Sequence, residues 1–257
     1  MRKKVALITG AGKRLGNAIA RQLAERGFSI AIHFHTSESD AARLLRRLSK
    51  KGVDADTFQA DIRSEEEVEA MTAAVFKRFG RVDVLINSAS VWRPKPLEEV
   101  DAEELRLNYE ANTLGTFLAC QKVGLRMAKQ STGGCIINIG DWCVTRPYLN
   151  YAAYMASKGA IPTLTRTFAH ELAARNPKIR VNCILPGPVM LPNEMPEDAK
   201  QQAINGTLLK REGRPEDVAH AALFLIENNF VTGVCIPVDG GRSIYAQENM
   251  SHLGNES

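Results

Sequence analysis

Short apolar segments with the character of β-strands alternate with amphipathic helical segments along almost the whole chain. The strand segments, such as "VALIT" from Val5 and "CIINI" from Cys135, are nearly continuous apolar runs. Strands that are buried on both faces have this character. Repeated β-α-β units with right-handed crossovers build a parallel sheet with helices on both faces. We therefore predict an α/β chain with a single-domain Rossmann-type fold and a doubly wound sheet.

The element boundaries follow from caps, glycines and prolines at the ends of these segments. We assign residues 1–245 to one domain and residues 246–257 to a polar C-terminal tail. The strands are predicted to begin at Val5, Ser29, Asp54, Val82, Gly134, Ile179 and Gly233, and the helices to span Asn17–Arg26, Ser37–Lys51, Ser64–Phe79, Asp101–Lys129 with breaks near Gly115, Asn150–Arg175 and Pro215–Glu227.

The segment 185–207 follows the carboxyl end of a predicted strand and is rich in proline and glycine at its start. In α/β sheets, ligands bind at the carboxyl ends of the strands. The segment is either an ordinary surface loop or a substrate lid, and we favour the lid.

Composition excludes several classes of function. The net charge of +4 is small and the basic residues are scattered, which argues against a nucleic-acid partner. No apolar run is long enough to span a bilayer, and the basic N-terminus is followed by a strand and not by a signal-peptide core. Five cysteines without a C-x-x-C pair predict reduced thiols in a cytoplasmic protein, and the absence of H-E-x-x-H argues against a metal site.

The stretch "TGAGKRLG" from Thr9 to Gly16 lies between the first predicted strand and the first helix. Its glycines could make a tight turn and nothing more. In a first β-α-β unit, however, such a turn brings a helix N-terminus, with free N–H groups and the positive end of its dipole, to the pyrophosphate of a dinucleotide. We therefore predict a dinucleotide site at this loop.

The end of the second predicted strand indicates which dinucleotide binds. An NAD site places a carboxylate there to bind the ribose 2′-hydroxyl, but the segment "HFHTS" has none. Hydroxyls, imidazoles and cations suit a 2′-phosphate, so NADP is favoured over NAD, although the histidines could merely end a strand. The residues assigned to this part of the cofactor site are Lys13, Arg14, His33, His35, Thr36 and Ser37.

The segment "YMASK" places Tyr154 and Lys158 four residues apart on a predicted helix, and therefore on one face. A phenol with a pKa of about 10 is a poor acid at neutral pH. A neighbouring cation lowers that pKa. We expect this pair to deliver a proton while a nicotinamide delivers a hydride.

The chain resembles the short-chain dehydrogenases/reductases over nearly its whole length. The motifs that carry the resemblance occur in order: "TGAGKRLG", "NSAS" at 87–90, Asn112 in "YEANTLG", "YMASK", "LPGP" at 185–188 and "VDGG" at 238–241. The resemblance implies seven parallel strands, a nicotinamide cofactor and a homotetramer or dimer.

The same resemblance implies roles for individual residues. Tyr154 would be the proton donor, Lys158 would bind the nicotinamide ribose, and Asn112 would support a proton-relay water. Asp61 would contact the adenine. The further cofactor contacts would be Gly10, Leu15, Ile62, Asn87, Ala89, Pro186, Gly187 and Val189.

One position departs from the common pattern of this family. Thirteen residues before the tyrosine the family usually has serine, and this chain has Asp141. An ionised carboxylate only accepts hydrogen bonds, so it would repel the oxyanion of a reduced ketone. Asp141 suits a substrate that presents N–H groups; alternatively, Thr145 or the neighbouring "WC" compensates for the lost serine.

Four features resemble the pteridine reductases within this family. Arg14 replaces a loop glycine, and Ser90, Trp92 and Asp141 fall where those enzymes bind cofactor phosphate and pterin. Trp92 would stack on the pterin opposite the nicotinamide, although it could instead be a core or interface aromatic. We therefore assign Arg14, Ser90, Trp92, Asp141 and Tyr154 to the substrate site and Tyr154, Lys158, Asp141 and Asn112 to catalysis.

The resulting hypothesis is an NADPH-dependent reductase of a dihydropterin or dihydrofolate-like heterocycle. The alternatives are an NADPH-dependent carbonyl reductase of the 3-oxoacyl thioester type, a reductase of another heterocycle or imine, and a dinucleotide-binding sensor without catalysis. The complete set of Asn112, Tyr154 and Lys158 argues against the sensor.

Overall fold

The computed structural model describes residues 3–246, and these form one seven-stranded sheet flanked by helices. The strands lie in the order β3-β2-β1-β4-β5-β6-β7, and every neighbouring pair is parallel. The predicted doubly wound sheet is confirmed. The strands are β1 Val5–Thr9, β2 Ser29–Phe34, β3 Ala55–Gln59, β4 Val84–Asn87, β5 Gly134–Ile139, β6 Ile179–Pro186 and β7 Cys235–Val238.

The helices pack on both faces of this sheet. Most begin and end within a few residues of their predicted bounds, and α1 begins three residues before the predicted Asn17. They are α1 Arg14–Glu25, α2 Glu38–Lys50, α3 Glu65–Phe79, α4 Ala102–Asn108, α5 Gly115–Ala128, α6 Ala152–Gly159, α7 Ile161–Arg175, α8 Glu197–Asn205 and α9 Pro215–Glu227.

Alternate residues of each strand pack on opposite faces. On one face, Ile8 belongs to a buried cluster with Leu23 of α1 and Leu223 of α9. On the other, Leu7 belongs to a cluster with Val75 of α3. Each fully buried Leu, Ile or Val contributes roughly 1.5–3 kcal/mol, so these two layers hold the sheet rigid beneath the site.

The predicted helix 101–129 is interrupted by a π-helical turn, Tyr109–Leu114, between α4 and α5. The interruption ends at Gly115, where the sequence predicts a break. A Cβ atom on Gly115 would lie 2.8 Å from the side chain of Ile62. A glycine here therefore lets α5 approach the segment after β3. Single π-helical turns of this kind occur often at functional sites.

The prediction of one helix over 150–175 is wrong. The structure has two helices, α6 and α7, and Pro162 lies in the first turn of α7. Proline cannot donate the hydrogen bond that a continuous helix needs at this position, but the first turn of a new helix tolerates it.

The segment 185–207 contains a helix that the sequence argument missed. After β6 ends at Pro186, the chain runs to Pro196 and then forms α8. Glu197 and Asp198 occupy the first turn of α8, where carboxylates interact favourably with the helix dipole. Of the predicted tail, residues 247–257 lie outside the described residues.

Within the described part of the chain, no helix is both long enough and apolar enough to cross a membrane.

Candidate active site

A cavity of about 880 Å³ lies at the carboxyl ends of the central strands. It is bounded by residues that follow β1, β4, β5 and β6, and by Met195, Ala199 and Gln202 of the segment 185–207. This segment therefore lies against the cavity. The residues singled out from the sequence that line it are Gly10, Lys13, Arg14, Leu15, Ala89, Ser90, Trp92, Asp141, Tyr154, Lys158, Pro186, Gly187 and Val189.

The remaining predicted residues lie outside this lining, and most of them are beside the ends of β2 and β3. His35 Nε2 lies 3.8 Å from Asp61 Oδ2. A Cβ atom on Gly12 would lie 3.2 Å from the hydroxyl of Ser37. These contacts bring "HFHTS" next to the glycine loop, as expected. The predicted residues outside the cavity lining are His33, His35, Thr36, Ser37, Asp61, Ile62, Asn87 and Asn112.

Two segments of the glycine loop pack so closely that only glycine fits between them. Gly10 has φ +65°, and its N–H is 3.1 Å from His33 Nδ1. A Cβ atom on Gly16 would lie 2.6 Å from the carbonyl oxygen of Gly10. The helix that follows begins at Arg14, and no side chain caps its first turn. The first N–H groups of α1 are thus available to an anion.

His33 supports this loop from beneath, and its buried ring is not presented to a 2′-phosphate. The side chain is only 1% exposed, and its Nε2 is 3.0 Å from the carbonyl oxygen of Ala60. Burial lowers the pKa of His33 to about 4. The neutral ring accepts from Gly10 through Nδ1 and donates to Ala60 through Nε2, so both ring nitrogens are occupied.

Arg14 connects the glycine loop to the start of the segment 185–207. It has φ +48°, and its Nη2 donates a 2.7 Å hydrogen bond to the carbonyl oxygen of Met190. Its neighbour Lys13 forms a 3.0 Å ion pair with Asp40. Sequence reasoning missed Asp40, which also pairs with Arg43. The charges at this place, three cations and one carboxylate, still favour an anionic ligand.

Asp61 is already engaged by a neighbouring cation. Arg63 donates to both carboxylate oxygens of Asp61, with a shortest contact of 2.6 Å. The Arg63 guanidinium lowers the pKa of Asp61 to about 2. The carboxylate is therefore ionised at neutral pH and remains an acceptor beside the predicted adenine position.

The phenol of Tyr154 and the carboxyl group of Asp141 form the centre of the cavity's polar chemistry. Tyr154 Oη donates a 2.7 Å hydrogen bond to Asp141 Oδ2. The other oxygen, Oδ1, accepts from the backbone N–H of Cys143 at 2.9 Å. Asp141 thus holds a short helical turn, Trp142–Val144, while its second oxygen faces the tyrosine.

The expected lowering of the Tyr154 pKa by Lys158 is not what the structure shows. Burial and the Asp141 carboxylate raise the pKa of Tyr154 well above its ordinary value. Lys158 is buried, and its ammonium group donates to the carbonyl oxygen of Ile139 at 2.9 Å. The sequence argument considered only the cation one turn away and left out the carboxylate that accepts a hydrogen bond from the phenol.

Burial also shifts the other two ionisable groups. It raises the pKa of the Asp141 carboxyl group, against the effects of the Cys143 N–H, Tyr154 and Lys158. It lowers the pKa of Lys158, against the attraction of Asp141. Burial therefore disfavours the charged form of both Asp141 and Lys158, and the attraction between their opposite charges offsets part of this cost.

Asn112 joins two elements of the site through its side chain. Its Oδ1 accepts from the N–H of Val91 at 2.8 Å and from the hydroxyl of Ser90 at 2.9 Å. Its Nδ2 donates to Ser157 Oγ at 2.9 Å and to the carbonyl oxygen of Val91 at 3.0 Å. The amide is fully engaged in fixing the Ser90–Trp92 loop against α6, so a water relay would have to use other atoms.

Trp92 lines the cavity as part of an aromatic cluster that sequence reasoning missed. Its ring stacks on Tyr151 at a centroid distance of 5.0 Å and an interplanar angle of 17°. Its indole N–H donates to the hydroxyl of Tyr148 at 3.2 Å. Tyr148 in turn stacks on Trp142 at 5.4 Å. The spacing of three residues from Tyr148 to Tyr151 to Tyr154 is the signal that could have indicated this cluster.

Among residues 3–246, no group of three or more His, Cys, Asp or Glu side chains is arranged to hold a metal ion.

Comparison with known proteins assigns the chain to a family. A family profile described as enoyl-(acyl carrier protein) reductase matches residues 10–243. The chain belongs to the short-chain dehydrogenase/reductase family. Its glycine loop, Tyr154 and Lys158 lie around one cavity. The chain is therefore an oxidoreductase of a family that uses NAD(H) or NADP(H).

Individual relatives in this short-chain dehydrogenase/reductase family cover almost the same length. The 3-oxoacyl-[acyl-carrier-protein] reductase FabG of Staphylococcus epidermidis is 34% identical over 242 residues, which is 93% of this chain and 98% of the relative. That of Staphylococcus aureus is 33% identical over 242 residues, 93% and 97% respectively. The 3beta-hydroxysteroid dehydrogenase 1 of Eggerthella lenta is 32% identical over 251 residues, 95% of each chain.

The names of these relatives describe different reactions. They describe 3-oxoacyl reduction and steroid dehydrogenation, and the family profile describes enoyl reduction. None of these names refers to pteridines. The names of the relatives therefore support the carbonyl-reductase alternative better than the pteridine hypothesis.

Proposed function

We propose that this short-chain dehydrogenase/reductase is an NADPH-dependent reductase of a pteridine-type heterocycle. The observation that carries the proposal is the Asp141 carboxyl group, which lies within 2.7 Å of the Tyr154 hydroxyl in the cavity. At that position the family usually has a serine, which donates to a carbonyl oxygen. A carboxylate accepts instead, and a pterin presents ring and amino N–H groups.

The residues of the chain fit a dinucleotide phosphate. Gly10 and Gly16 leave a cradle that a Cβ atom would fill, and the first turn of α1 has uncapped N–H groups. Thr36 and Ser37 lie at the end of β2 with no carboxylate between them and the strand. We infer that these hydroxyls and Lys13 bind the 2′-phosphate and that NADPH is preferred. The bound cofactor would supply the hydride.

Trp92 supports the assignment of the substrate ring. One face of the indole is covered by Tyr151, and the indole also lines the cavity. Stacking of a flat heterocycle on such a ring contributes on the order of 1 kcal/mol beyond area burial. The Tyr151 and Tyr148 contacts fix the orientation of the indole before any substrate arrives.

Proton transfer is assigned to the phenol. Tyr154 holds its proton at Oη with Asp141 Oδ2 as acceptor, and its raised pKa keeps the group protonated at neutral pH. A reduced ring nitrogen is basic enough to take this proton from Oη. Lys158 lies near the phenol, with its ammonium 5.9 Å from the ring centroid, and favours the phenolate that remains.

The second candidate is an NADPH-dependent reductase of 3-oxoacyl thioesters, which the names of the relatives favour. Its chemistry needs a donor at position 141. Burial raises the pKa of Asp141, and a protonated carboxyl group can donate to a carbonyl oxygen. For this candidate, thioester reduction should increase as the pH falls and Asp141 gains a proton.

Substrate turnover separates the two candidates. NADPH oxidation is measured with dihydrobiopterin, dihydrofolate, acetoacetyl-CoA and simple ketones over a range of pH. The proposal predicts efficient turnover of the two dihydropterins and little of the others. Turnover of acetoacetyl-CoA alone would replace the proposal with the second candidate.

A further inference from the structure

The cavity is lined by far more positive than negative charge. Among residues 3–246 the cationic side chains of its lining are Lys13, Arg14, Lys158 and Arg242, and Asp141 is the one acidic side chain. The first three were singled out from the sequence, but Arg242 was not. It follows β7 in the last described part of the chain.

Arg242 differs from the other three cations because, among residues 3–246, no acceptor binds its guanidinium. Lys13 pairs with Asp40, Arg14 donates to Met190, and Lys158 donates to Ile139. Within the described residues, the Arg242 side chain has neither a hydrogen bond nor an ion pair. Its one directed contact is with the Trp142 ring, whose centroid lies 5.1 Å from the guanidinium carbon.

This guanidinium nevertheless packs against other groups of the protein. It lies directly against the main chain of Gly206, where an added Cβ atom would overlap its Nη1 at 0.9 Å. Gly206 is the residue at the C-terminal end of α8. The Trp142 ring, which contacts the guanidinium, also stacks on the ring of Tyr148. Partial burial and the neighbouring Arg146 lower the pKa of Arg242. The charge is thus partly desolvated, and the described part of the chain offers it none of the acceptors that usually compensate such burial.

We infer that Arg242 determines specificity by binding an anionic group on the side chain of the substrate. Asp141 and Tyr154 would hold the reacting ring, while Arg242 would hold the far end in the same cavity. The inference rests on the proposed function for the ring, and it then identifies the substrate class as pterins whose side chain ends in a carboxylate. Asp141 and Arg242 line one continuous cavity, which also receives the cofactor at the glycine loop.

The test compares two substrates that share the ring and differ in the side chain. Dihydrofolate has a side chain with carboxylates, and dihydrobiopterin has a short neutral one. For Arg242→Gln, kcat/KM with dihydrofolate should fall about tenfold, mainly through KM, because a hydrogen bond to a charged group is lost. Turnover of dihydrobiopterin should change less than twofold. Arg242→Lys, which keeps the charge, should recover part of the loss.

Two further measurements exclude a merely structural role. In the wild type, kcat/KM for dihydrofolate should decrease as salt increases, and this dependence should be weaker in Arg242→Gln, since salt screens the charge pair. The control Arg146→Gln removes an exposed neighbouring arginine that does not line the cavity. It should leave the ratio of the two substrates close to that of the wild type. An equal loss for both substrates in Arg242→Gln would overturn the inference.

A second pair of probes separates this inference from the proposed function. Acetoacetyl-CoA carries phosphates, and ethyl acetoacetate is neutral. If neither dihydropterin is reduced, the proposed function is wrong. The anion site then stands only if Arg242→Gln lowers kcat/KM for acetoacetyl-CoA selectively. If dihydropterins are reduced but Arg242→Gln leaves the ratio of dihydrofolate to dihydrobiopterin unchanged, the proposed function stands and the anion site is rejected.

Discussion

Tyr154 Oη donates a 2.7 Å hydrogen bond to Asp141 Oδ2, so the acid expected from the tyrosine motif is paired with a buried carboxyl group. This pair distinguishes the chain from a relative with a serine at position 141. It keeps the phenol protonated and presents acceptor oxygens to the cavity. The account of the substrate depends on this one relationship.

Replacement of the phenol should separate chemistry from binding. Tyr154→Phe removes the proton at Oη and leaves the ring in place, so turnover should fall at least a hundredfold. NADPH affinity, measured by titration of cofactor fluorescence, should change less than threefold, because the glycine loop is untouched. A variant that retains near wild-type kcat would show that Tyr154 is not the donor.

Neutralisation of Asp141 should stabilise the protein at neutral pH. The folded-state pKa of Asp141 lies above its unfolded value, so ionisation costs stability as the pH rises from the unfolded pKa through the folded one. Asp141→Asn removes that cost, and each kcal/mol corresponds to about 2–4 °C in Tm for a chain of this size. The variant should therefore have a higher Tm than the wild type at pH 8.

This difference in Tm should shrink as the pH is lowered, because the wild-type carboxyl group then gains a proton. Ser90→Ala, another change in the cavity lining that removes no charge, is the control and should show no such pH dependence. A lower Tm for Asp141→Asn at pH 8 would mean that the attraction of Lys158 outweighs the burial of the carboxylate.

The cofactor preference should follow the charges around β2 and the glycine loop. Thr36→Asp places a carboxylate at the end of β2 and should shift the preference from NADPH towards NADH. Asp40→Asn removes the partner of Lys13 and should strengthen NADPH binding. Dissociation constants for both cofactors check the two changes. Equal affinity of the wild type for NADPH and NADH would contradict the assignment.

The indole of Trp92 should contribute to substrate binding and not to cofactor binding. The pterin is proposed to stack on the indole that Tyr151 holds in place. Trp92→Ala removes this stacking surface, so KM for a dihydropterin should increase about fivefold to tenfold. Trp92→Phe keeps an aromatic face and should lose less. An unchanged KM in Trp92→Ala would assign Trp92 to the aromatic cluster alone.

Much of the fold could be predicted because it depends on local patterns. The continuous apolar runs of β1, β5 and β6 indicated buried parallel strands, and Ser64 caps α3 by accepting from Glu67, as its position suggested. The helix α8 was missed because the prolines and glycines before it resemble a loop. No residue of α8 is buried, so its sequence lacks the apolar stripe that marks a core-facing helix.

The site was harder to predict because it depends on where side chains point. A motif placed His33 near the cofactor, but the sheet directs its ring beneath the loop to Gly10 and Ala60. Likewise, the Tyr154–Lys158 spacing indicated a cation near the phenol. Only the packing of α6 against the end of β5 shows that Asp141 lies closer and raises the pKa of Tyr154.

The most direct test of the central claim measures kcat/KM for dihydrobiopterin and for acetoacetyl-CoA in the wild type and in Asp141→Ser. The serine removes the acceptor for ring N–H groups, and leaving such groups unpaired in a buried site costs roughly 1–3 kcal/mol. The account predicts that dihydrobiopterin reduction falls about tenfold to a hundredfold, while acetoacetyl-CoA reduction stays equal or rises. Unchanged dihydrobiopterin reduction in Asp141→Ser, or a wild type that reduces only acetoacetyl-CoA, would contradict it.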